Sequence, residues 1–463
     1  MKYQAYAEYK DSGVEWLEAI PSHWDIKKLK FIANVQPSNI DKKTNEGEIP
    51  ILLCNYTDVY YNDTVNVTME FMKASATEEQ IKKFTLQAGD TIITKDSEDP
   101  NDIAIPTFVP EDMVGVVCGY HLSVIRPYDM AYGEFIKRLF ECGYARAYFA
   151  TRSNGLTRYG LGTYAVDNIF YPKPPEIEAT TIANFLDHET AKIDTLIEKQ
   201  QQLIKLLKEK RQAVISHAVT KGLNPNAPMR DSGVEWLGNV PEHWKVCRIK
   251  HVAKLESGHT PDKKIEAYWV ECDIPWVSLN DSSQLKEVDY ISETAIFLNE
   301  KGIANSSARK LPERCVVFTR DASIGLAAIT TKVMAVSQHV IAWICDEKKV
   351  IPEYLLLVFY AMKDELDRFT FGATLKTIGM PDVNKLTGSF PDIAEQKIII
   401  EHVFRVKQTM DIVVSKAEEA IKIIQERRTA LISAAVTGKI DVRSWQAPEP
   451  LDSNNETIQE VAA

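Results

Sequence analysis

Basic, amide and hydroxyl side chains are concentrated in one glycine-containing stretch, TRSNGLTRYGLG, residues 151 to 162. Side chains of these types hydrogen-bond to nucleic-acid bases, with arginine suited to guanine and asparagine to adenine. Residues 133 to 163 carry five basic and two acidic side chains, so this region is locally positive although the chain has a net charge of −11. The predicted DNA-contacting loop contains Arg152, Asn154, Thr157, Arg158 and Tyr159. A solvated loop with a structural arginine is the alternative, because exposed arginine is common.

Further candidates lie at predicted strand ends and in a second loop. The stretch FGATLKTIG at residue 371 matches the first loop in position, and TRDASIG and WVSLND hold basic or polar groups at strand ends. Lys95, in ITKDSEDP, aligns with Arg320 when the two halves of the chain are compared. The additional predicted DNA-contacting residues are Lys95, Ser278, Asn280, Arg320, Thr374, Lys376 and Thr377.

Two strings of residues resemble catalytic patterns and would favour an enzyme instead. A metal-dependent nuclease places an Asp before a Glu-x-Lys so that two carboxylates share a metal. Asp392 lies only three residues before Glu395 at a predicted helix start, where Glu395 and Gln396 fit N-terminal capping. Asp321 has a more suitable distance to Glu347, but Glu347 lies in an apparent turn. A methyltransferase would need a Gly-rich cofactor turn and an Asn- or Asp-Pro-Pro-aromatic loop, and the sequence has neither. We therefore expect no catalysis and no metal site.

Composition limits the class of protein. A chain of 463 residues predicts two or more domains. The longest apolar stretch, around residues 354 to 362, is too short to cross a bilayer, and the N-terminus lacks a signal pattern, which predicts a cytoplasmic protein with no membrane contact. The seven cysteines are widely spaced, so we predict free thiols. The acidic net charge fits a protein that works inside a larger assembly.

The sequence contains an internal repeat, so the elements that position these residues occur once in each half of the chain. Residues 11 to 24 read DSGVEWLEAIPSHW and residues 231 to 244 read DSGVEWLGNVPEHW, with ten of fourteen positions identical. We call these two segments the edge motifs. Similarity is high at the edges of each half and weak in the interior, which predicts one task performed on two different ligands.

Large rings and imidazoles recur in the edge motifs. A residue that is the same in both halves cannot distinguish two different ligands, so we predict that these tryptophans anchor the segment and that the histidines are structural hydrogen-bonding groups. The residues are Trp16, Trp24, Trp236, Trp244, His23 and His243.

Two long helices are predicted, one closing each half. Each has about forty residues without Gly or Pro and an apolar repeat with spacings of four and three, which is typical of a coiled-coil seam. A helix of this length spans ~60 Å. The seam residues are Ile193, Ile197, Ile204, Leu207, Val214, Met410, Val414, Ile421, Ile424 and Leu431. Arg211 and Arg428 are polar residues at equivalent positions within the two apolar stripes. Antiparallel packing of the two helices would bury both stripes against each other. An ordinary helical hairpin between two domains is the alternative.

From about Asp11 to Ser444 the chain resembles the specificity subunits of type I restriction-modification systems. The resemblance rests on the doubled edge motif, on SGHTPDKKIEAYWVECDIPWVSLND from Ser257, on IGMPDVNKLTGSFPDIAEQ from Ile378 and on the repeated long helix ending in Ala-Val-Thr. It departs in the first half, where the Gly258 to Trp269 elements have no clear copy.

The resemblance implies a non-catalytic subunit that reads a split target in double-stranded DNA. It also implies two methyltransferase subunits docked on the helices, with restriction and translocase subunits joining for cleavage. S-adenosylmethionine, ATP and Mg would then belong to those partners, and this chain would bind no cofactor itself. A scaffold, or an orphan DNA-binding protein without a cleavage partner, is the alternative.

The predicted fold class is α+β, with two target-recognition domains of small mixed or antiparallel sheets, two long antiparallel helices as a coiled coil between them, and a pseudo-twofold internal repeat. The predicted boundaries are 1–177 for the first domain, 178–220 for the first helix, 221–392 for the second domain, 393–437 for the second helix and 438–463 for the C-terminal tail.

Overall fold

The computed structural model describes residues 3–371 and 376–447. The chain divides into two compact units. Unit 1 combines the chain up to Gln200 with the chain from Glu419 onward, and unit 2 runs from Gln201 to Glu418. Each unit therefore contains one globular domain, part of the first long helix and part of the second.

The first domain is built from short strands and helices. Its strands are β1 (Tyr9–Asp11), β2 (Ala19–Pro21), β3 (Asp25–Lys28), β4 (Ala33–Pro37), β5 (Ile49–Cys54), β6 (Met72–Ala76), β7 (Thr91–Thr94), β8 (Asp96–Ser97), β9 (Pro106–Phe108), β10 (Val116–Cys118), β11 (Leu122–Pro127), β12 (Tyr159–Gly160) and β13 (Phe170–Lys173). Its helices are α1 (Tyr56–Tyr60), α2 (Glu78–Phe84), α3 (Gly133–Glu141), α4 (Gly143–Ala150) and α5 (Thr163–Asp167), with 3-10 turns at Leu29–Phe31, Pro100–Asp102 and Met130–Tyr132. The first long helix, α6 (Glu176–Lys221), follows.

The second domain repeats this plan. Its strands are β14 (Met229–Asp231), β15 (Asn239–Pro241), β16 (Lys245–Arg248), β17 (Ala253–Ser257), β18 (Ile274–Val277), β19 (Tyr290–Ile291), β20 (Phe297–Leu298), β21 (Val316–Thr319), β22 (Ala327–Thr330), β23 (Ala335–Val336), β24 (Val340–Cys345), β25 (Thr370–Phe371), β26 (Thr377–Ile378) and β27 (Thr387–Phe390). Its helices are α7 (Ser282–Leu285), α8 (Glu300–Ala304), α9 (Pro352–Ala361), α10 (Lys363–Arg368) and α11 (Met380–Val383), with 3-10 turns at Ile249–His251, Glu266–Tyr268 and Leu279–Asp281. The second long helix is α12 (Ile393–Val436).

Each domain is centred on one small sheet. In the first domain the order is β4-β11-β7-β9, with every neighbouring pair antiparallel. In the second domain the order is β17-β24-β21-β22-β19, and only the β19–β22 pair is parallel. The central strands β7 and β21 are runs of Val, Ile, Thr and Phe that are buried on both faces, and β-branched and aromatic side chains favour such strands. The predicted α+β class with small mixed and antiparallel sheets is confirmed.

The long helices begin and end as their sequences indicate. Neither contains Gly or Pro, and each is followed by a glycine with positive φ, Gly222 at +75° and Gly438 at +70°. Glycine is favoured at this C-terminal position because the left-handed conformation costs it little. The observed bounds lie within two residues of the predicted 178–220 and 393–437.

Within each unit the two long helices run antiparallel. In unit 1 the beginning of α6, at Ile182 and Phe185, shares a buried core with the end of α12, at Ile432 and Val436. In unit 2 the end of α6 shares a core with the beginning of α12. Buried apolar stripes therefore cover each other, as expected for two stripes of matched register.

The arginines that interrupt the apolar stripes form ion pairs between the two long helices. The Arg211 guanidinium lies 2.7 Å from an Asp411 carboxylate oxygen in unit 2, and the Arg428 guanidinium lies 2.9 Å from Asp194 in unit 1. The two ion pairs occupy equivalent positions, because Arg428 follows Arg211 by 217 residues and Asp411 follows Asp194 by the same number. The seam residues show matching burial: Ile193 and Met410 are buried, and the other eight are partly buried.

The edge motifs join one helix to the other in each unit. The Trp24 ring is buried; its Nε1 donates to Glu178 of α6 at 2.9 Å, and the ring lies beside Gly438 at the end of α12. His23 Nε2 contacts the other Glu178 oxygen at 2.8 Å.

Unit 2 repeats this arrangement with Trp244, His243, Glu395 and Gly222. The tryptophans and histidines of the edge motifs are structural, as the repeat argument predicts. Trp16 and Trp236 also contact their own domains, through the Tyr144 ring and the Thr387 carbonyl.

Candidate nucleic-acid interface

In the first domain, two strand ends and the predicted loop meet at one place. Lys95 and Asp96 follow β7, and His121 precedes β11; the Lys95 amide donates to the His121 carbonyl at 3.0 Å. Strand β12, which contains Tyr159, pairs with β8, which begins at Asp96. Strand pairing therefore brings Lys95 close to Arg158 and Tyr159, which follow it by more than sixty residues in sequence.

Asp96 organises this group. One carboxylate oxygen lies 2.8 Å from His121 Nδ1, and the other accepts from Arg158 Nε at 3.1 Å. The hydrogen bond to Asp96 raises the pKa of Arg158. The Asp96 side chain is 14% exposed and that of Arg158 is 55% exposed, so the acid lies beneath the guanidinium and holds it at the surface. We call Lys95, Asp96, His121 and Arg158 the first strand-end cluster.

Lys95 is half-buried beside an exposed tyrosine. Its Nζ donates to the Ser38 carbonyl at 2.8 Å and lies 4.3 Å from the centre of the Tyr120 ring. Burial lowers the pKa of Lys95. An ammonium group has three donors, so this lysine can hold its position on Ser38 and still donate outward.

The remaining predicted loop residues lie at the surface. The Arg152 guanidinium stacks 3.8 Å from the centre of the Tyr148 ring, and Thr157 and Asn154 are exposed. Backbone hydrogen bonds of 3.0 and 2.9 Å between Asn154 and Gly160 close the loop. Gly155 is required there, because a Cβ would lie 1.9 Å from the Arg158 carbonyl oxygen.

Part of the positive charge expected in this region is buried instead. Lys137 and Arg138 lie on α3, 2% and 4% exposed, and both pair with Glu141 at distances of 3.1 and 2.8 Å. Arg138 also contacts Asp187 of α6. These two cations therefore attach α3 to its surroundings, and counting them as DNA-facing charge is wrong. Arg146 is exposed.

The second domain has the same arrangement at the equivalent strand ends. Arg320 and Asp321 follow β21, and His339 precedes β24; the Arg320 amide donates to the His339 carbonyl at 2.9 Å. His339 Nδ1 lies 2.6 Å from one Asp321 oxygen, and the Thr377 hydroxyl donates to the other. We call Arg320, Asp321, His339 and Thr377 the second strand-end cluster.

Arg320 is only partly satisfied in its own domain. Its side chain is 24% exposed, and its Nε is buried without a hydrogen-bond partner among the described residues, 3.8 Å from the nearest Asp321 oxygen. A buried guanidinium nitrogen without a partner is costly, and the partly exposed guanidinium is suited to donate to a ligand oxygen from outside.

The other second-domain candidates divide into three groups. Ser278 is 5% exposed, and its hydroxyl accepts from the Asn280 amide at 3.3 Å as a helix cap, whereas the Asn280 side chain is exposed. Lys376 is exposed, and its carbonyl accepts from the Ala322 amide at 2.9 Å. Thr374 lies outside the described residues.

Sequence reasoning missed the aspartates and histidines of both clusters. The signal was present, since Thr-Lys-Asp at Thr94 aligns with Thr-Arg-Asp at Thr319 and Tyr-His at Tyr120 aligns with Gln-His at Gln338. It was overlooked because each motif is short and its two parts are far apart in the chain.

The carboxylates considered for catalysis have structural partners. Asp392 accepts from the Glu395 amide at 2.8 Å, so the helix cap is Asp392, while Glu395 itself binds the second edge motif. Glu347 pairs with Arg314 and does not approach Asp321. Within residues 3–371 and 376–447, no His, Cys, Asp and Glu side chains converge as three or more potential metal ligands. Every helix in this part of the chain is too short or too polar to span a bilayer.

Residues 241–422 match the family model described as type I restriction modification DNA specificity domain. The putative type I restriction enzyme MjaX specificity subunit of Methanocaldococcus jannaschii is 21% identical over 450 residues, which cover 94% of this chain and 98% of that protein. Residues 241–422 therefore carry a type I restriction modification DNA specificity domain, and the chain is similar over nearly its whole length to a type I specificity subunit. The MjaIX specificity subunit of the same organism is 31% identical over 155 residues, 31% of this chain and 35% of that protein.

Two solved structures share the fold of this chain. A chain from work on complex assembly and conformational transition of the type I R-M system has a TM-score of 0.69 and 15% identity, covering 91% of this chain and 99% of its own. The HsdS subunit from Thermoanaerobacter tengcongensis has a TM-score of 0.51 and 15% identity, covering 91% and 98%. At this level of identity they show the fold alone.

Proposed function

We propose that this specificity subunit binds double-stranded DNA, reads a two-part target and directs the methyltransferase and restriction subunits of a type I complex to it. The observation that carries the proposal is the repeated strand-end cluster. Both domains hold a cation, an Asp and a His at equivalent strand ends, beside loop residues that differ between the domains. A repeated framework with different neighbours is what two readers of two different half-sites require.

The neighbours supply the chemistry for reading. In the first domain Arg158 and Tyr159 come from the loop, whereas in the second domain Thr377 occupies the corresponding position on the Asp. An arginine favours guanine and a hydroxyl is less selective, so the two domains should prefer different bases. Asn154, Thr157 and Lys376 lie at the surface nearby in sequence and complete the predicted contact set.

The chain itself is proposed to be non-catalytic. Two methyltransferase subunits bind the long helices, restriction and translocase subunits join them, and S-adenosylmethionine, ATP and Mg are used in those partners. The complex works in the cytoplasm, where its DNA target lies. A scaffold, or an orphan DNA-binding protein without a cleavage partner, is the second candidate. It predicts target binding without target-dependent cleavage when the full set of subunits is present.

The first test exchanges residues 36–170 for the corresponding region of another specificity subunit. Methylome sequencing of cells that express the chimera with its methyltransferase partner should show one half of the recognised sequence changed and the other half retained. The reciprocal exchange in the second domain is the matched control and should change the other half. A chimera that alters both halves contradicts separate reading by the two domains.

The second test changes the helices. Inserting seven residues after Gln200 and seven after Ala417 keeps the seam in register and adds about 10 Å to each helix. At ~3.4 Å per base step the gap between half-sites should lengthen by about three base pairs, with both half-sites unchanged. Inserting three residues at the same places shifts the stripe, so it should instead impair assembly. A gap that stays constant in the seven-residue variant contradicts a spacer role for the helices.

A further inference from the structure

We propose that His121 and His339 contact the phosphate backbone of the DNA through Nε2, with Asp96 and Asp321 holding each ring in position. This inference rests on the proposed function and deepens it, because it assigns backbone binding and base reading to different residues of one cluster. Neither histidine belongs to the contact set that the sequence predicts.

The geometry fixes both rings through Nδ1, and Nε2 is the nitrogen turned away from the carboxylate. In the second cluster the side-chain nitrogen of the exposed Gln338 lies 3.1 Å from His339 Nε2, so a phosphate oxygen would displace that amide. In each cluster Nδ1 lies against a carboxylate oxygen, at 2.8 Å in the first and 2.6 Å in the second. A histidine held by a carboxylate at one nitrogen has its other nitrogen oriented for a partner. The imidazole side chains are 28% and 37% exposed, and the carboxylates beneath them are 14% and 10% exposed. The rings therefore lie between the buried acid and the solvent.

The surroundings favour an anion. The Arg158 guanidinium lies 3.1 Å from His121 Nδ1, and Lys95 is held on the adjoining strand end. In the second cluster Arg320 adjoins His339 through a backbone hydrogen bond, and its Nε has no partner among the described residues. In the first cluster the two cations Lys95 and Arg158 outnumber the single carboxylate of Asp96.

The repeat indicates a phosphate rather than a base. A side chain that is identical in both domains cannot account for different half-sites, but every half-site has the same sugar-phosphate backbone. The residues next to the Asp–His pair do differ: Lys95 becomes Arg320, Tyr120 becomes Gln338 and Arg158 becomes Thr377. Phosphate contacts position a protein on the duplex, and contacts to base edges specify the sequence. We therefore assign phosphate contact to the Asp–His pair that both domains share, and base reading to the neighbouring residues that differ.

The edge-motif histidines provide an internal comparison. His23 and His243 use Nε2 for the structural contact to Glu178 and Glu395, at 2.8 Å each. In the strand-end clusters the structural contact uses Nδ1, and Nε2 is the nitrogen further from the backbone. The two kinds of repeated histidine therefore present opposite ring nitrogens to their carboxylate partners.

The test replaces His121 with asparagine or with glutamine in the full chain bound to its methyltransferase partner. The Asn amide can replace Nδ1 on Asp96 but cannot reach the position of Nε2, whereas the longer Gln side chain can. We expect His121→Asn to raise the Kd for a duplex that carries the target by about three- to tenfold, with an unchanged methylated motif. His121→Gln should retain most of the affinity. His339→Asn and His339→Gln should behave in the same way.

A second measurement alters the DNA and compares the wild-type chain with the Asn variants. In duplexes with one methylphosphonate in place of a phosphate, one position in each half-site should weaken binding by the wild-type chain. At that position the His121→Asn or His339→Asn chain should show no further loss. A uniform loss at every position would mean that the substitution acts only by disturbing the fold.

The outcomes separate the two proposals. Unchanged affinity of both Asn variants, or a changed base in either half of the methylated motif, overturns the phosphate assignment while the specificity function stands. A wild-type complex that neither binds nor methylates any split target overturns the proposed function itself.

Discussion

Replacing Trp244 with alanine will lower the free energy of unfolding of unit 2 by about 3–5 kcal/mol, the usual cost of removing a large buried ring. The Trp244 side chain is 1% exposed and belongs to the main core of the second domain. It also donates to Glu395 at the start of α12 at 3.1 Å and packs beside Gly222 at the end of α6. Its loss therefore opens a cavity where both helices meet the domain.

Hydrogen exchange read by mass spectrometry assigns the effect to one unit, because a chain with two compact units need not unfold in a single step. The loss of protection should be confined to unit 2, and Trp24→Ala should produce the equivalent loss in unit 1. Trp244→Phe is the control: it keeps most of the packing, loses the hydrogen bond to Glu395 and should cost much less. A cost for Trp244→Ala below about 1 kcal/mol would show that the ring does not hold the helices to the domain.

Replacing Gly438 with alanine will destabilise unit 1 by about 2–4 kcal/mol, of which about 1 kcal/mol is the left-handed backbone and the rest is overpacking. Gly438 has a φ of +70°, and a Cβ there would lie 2.3 Å from Pro21 Cδ and 3.2 Å from Trp24 Cζ3. The end of α12 would have to move away from the first edge motif.

Gly13 provides a matched control in the same unit. Its φ is +68°, but a Cβ there would have no atom within 4 Å, so Gly13→Ala should cost only the backbone penalty of about 1 kcal/mol. Denaturant unfolding of the two variants beside the wild-type chain measures the difference. Equal costs would mean that the contact between Gly438 and the edge motif is not tight in solution.

Features with local causes were predictable from the sequence. The bounds of α6 and α12 follow from long stretches without Gly or Pro that end at Gly222 and Gly438. The equivalence of Arg211 and Arg428 was also visible, because both interrupt the apolar stripe at the same position. Helical periodicity and terminal glycine act within a few residues, so a single sequence carries their signal.

Within the candidate interface, the sequence indicated which basic residues could contact DNA, but it did not indicate which of them are buried. Arg158 and Lys95 were selected as basic groups beside a flexible loop, and the fold places them in one cluster. Lys137 and Arg138 have the same composition signal but are buried in ion pairs. Burial depends on which side of α3 faces the core, and a charge count over a window of sequence carries no information about that.

By itself, the sequence determined that this protein has two similar halves, two long helices of matched register and a resemblance to type I specificity subunits over nearly its whole length. Only the tertiary structure decided that Asp96 meets His121 and Arg158, and that Asp321 meets His339 and Thr377. The reason is physical: helices are determined by neighbours three and four residues away, whereas each cluster joins strand ends and a loop that only sheet pairing brings into contact.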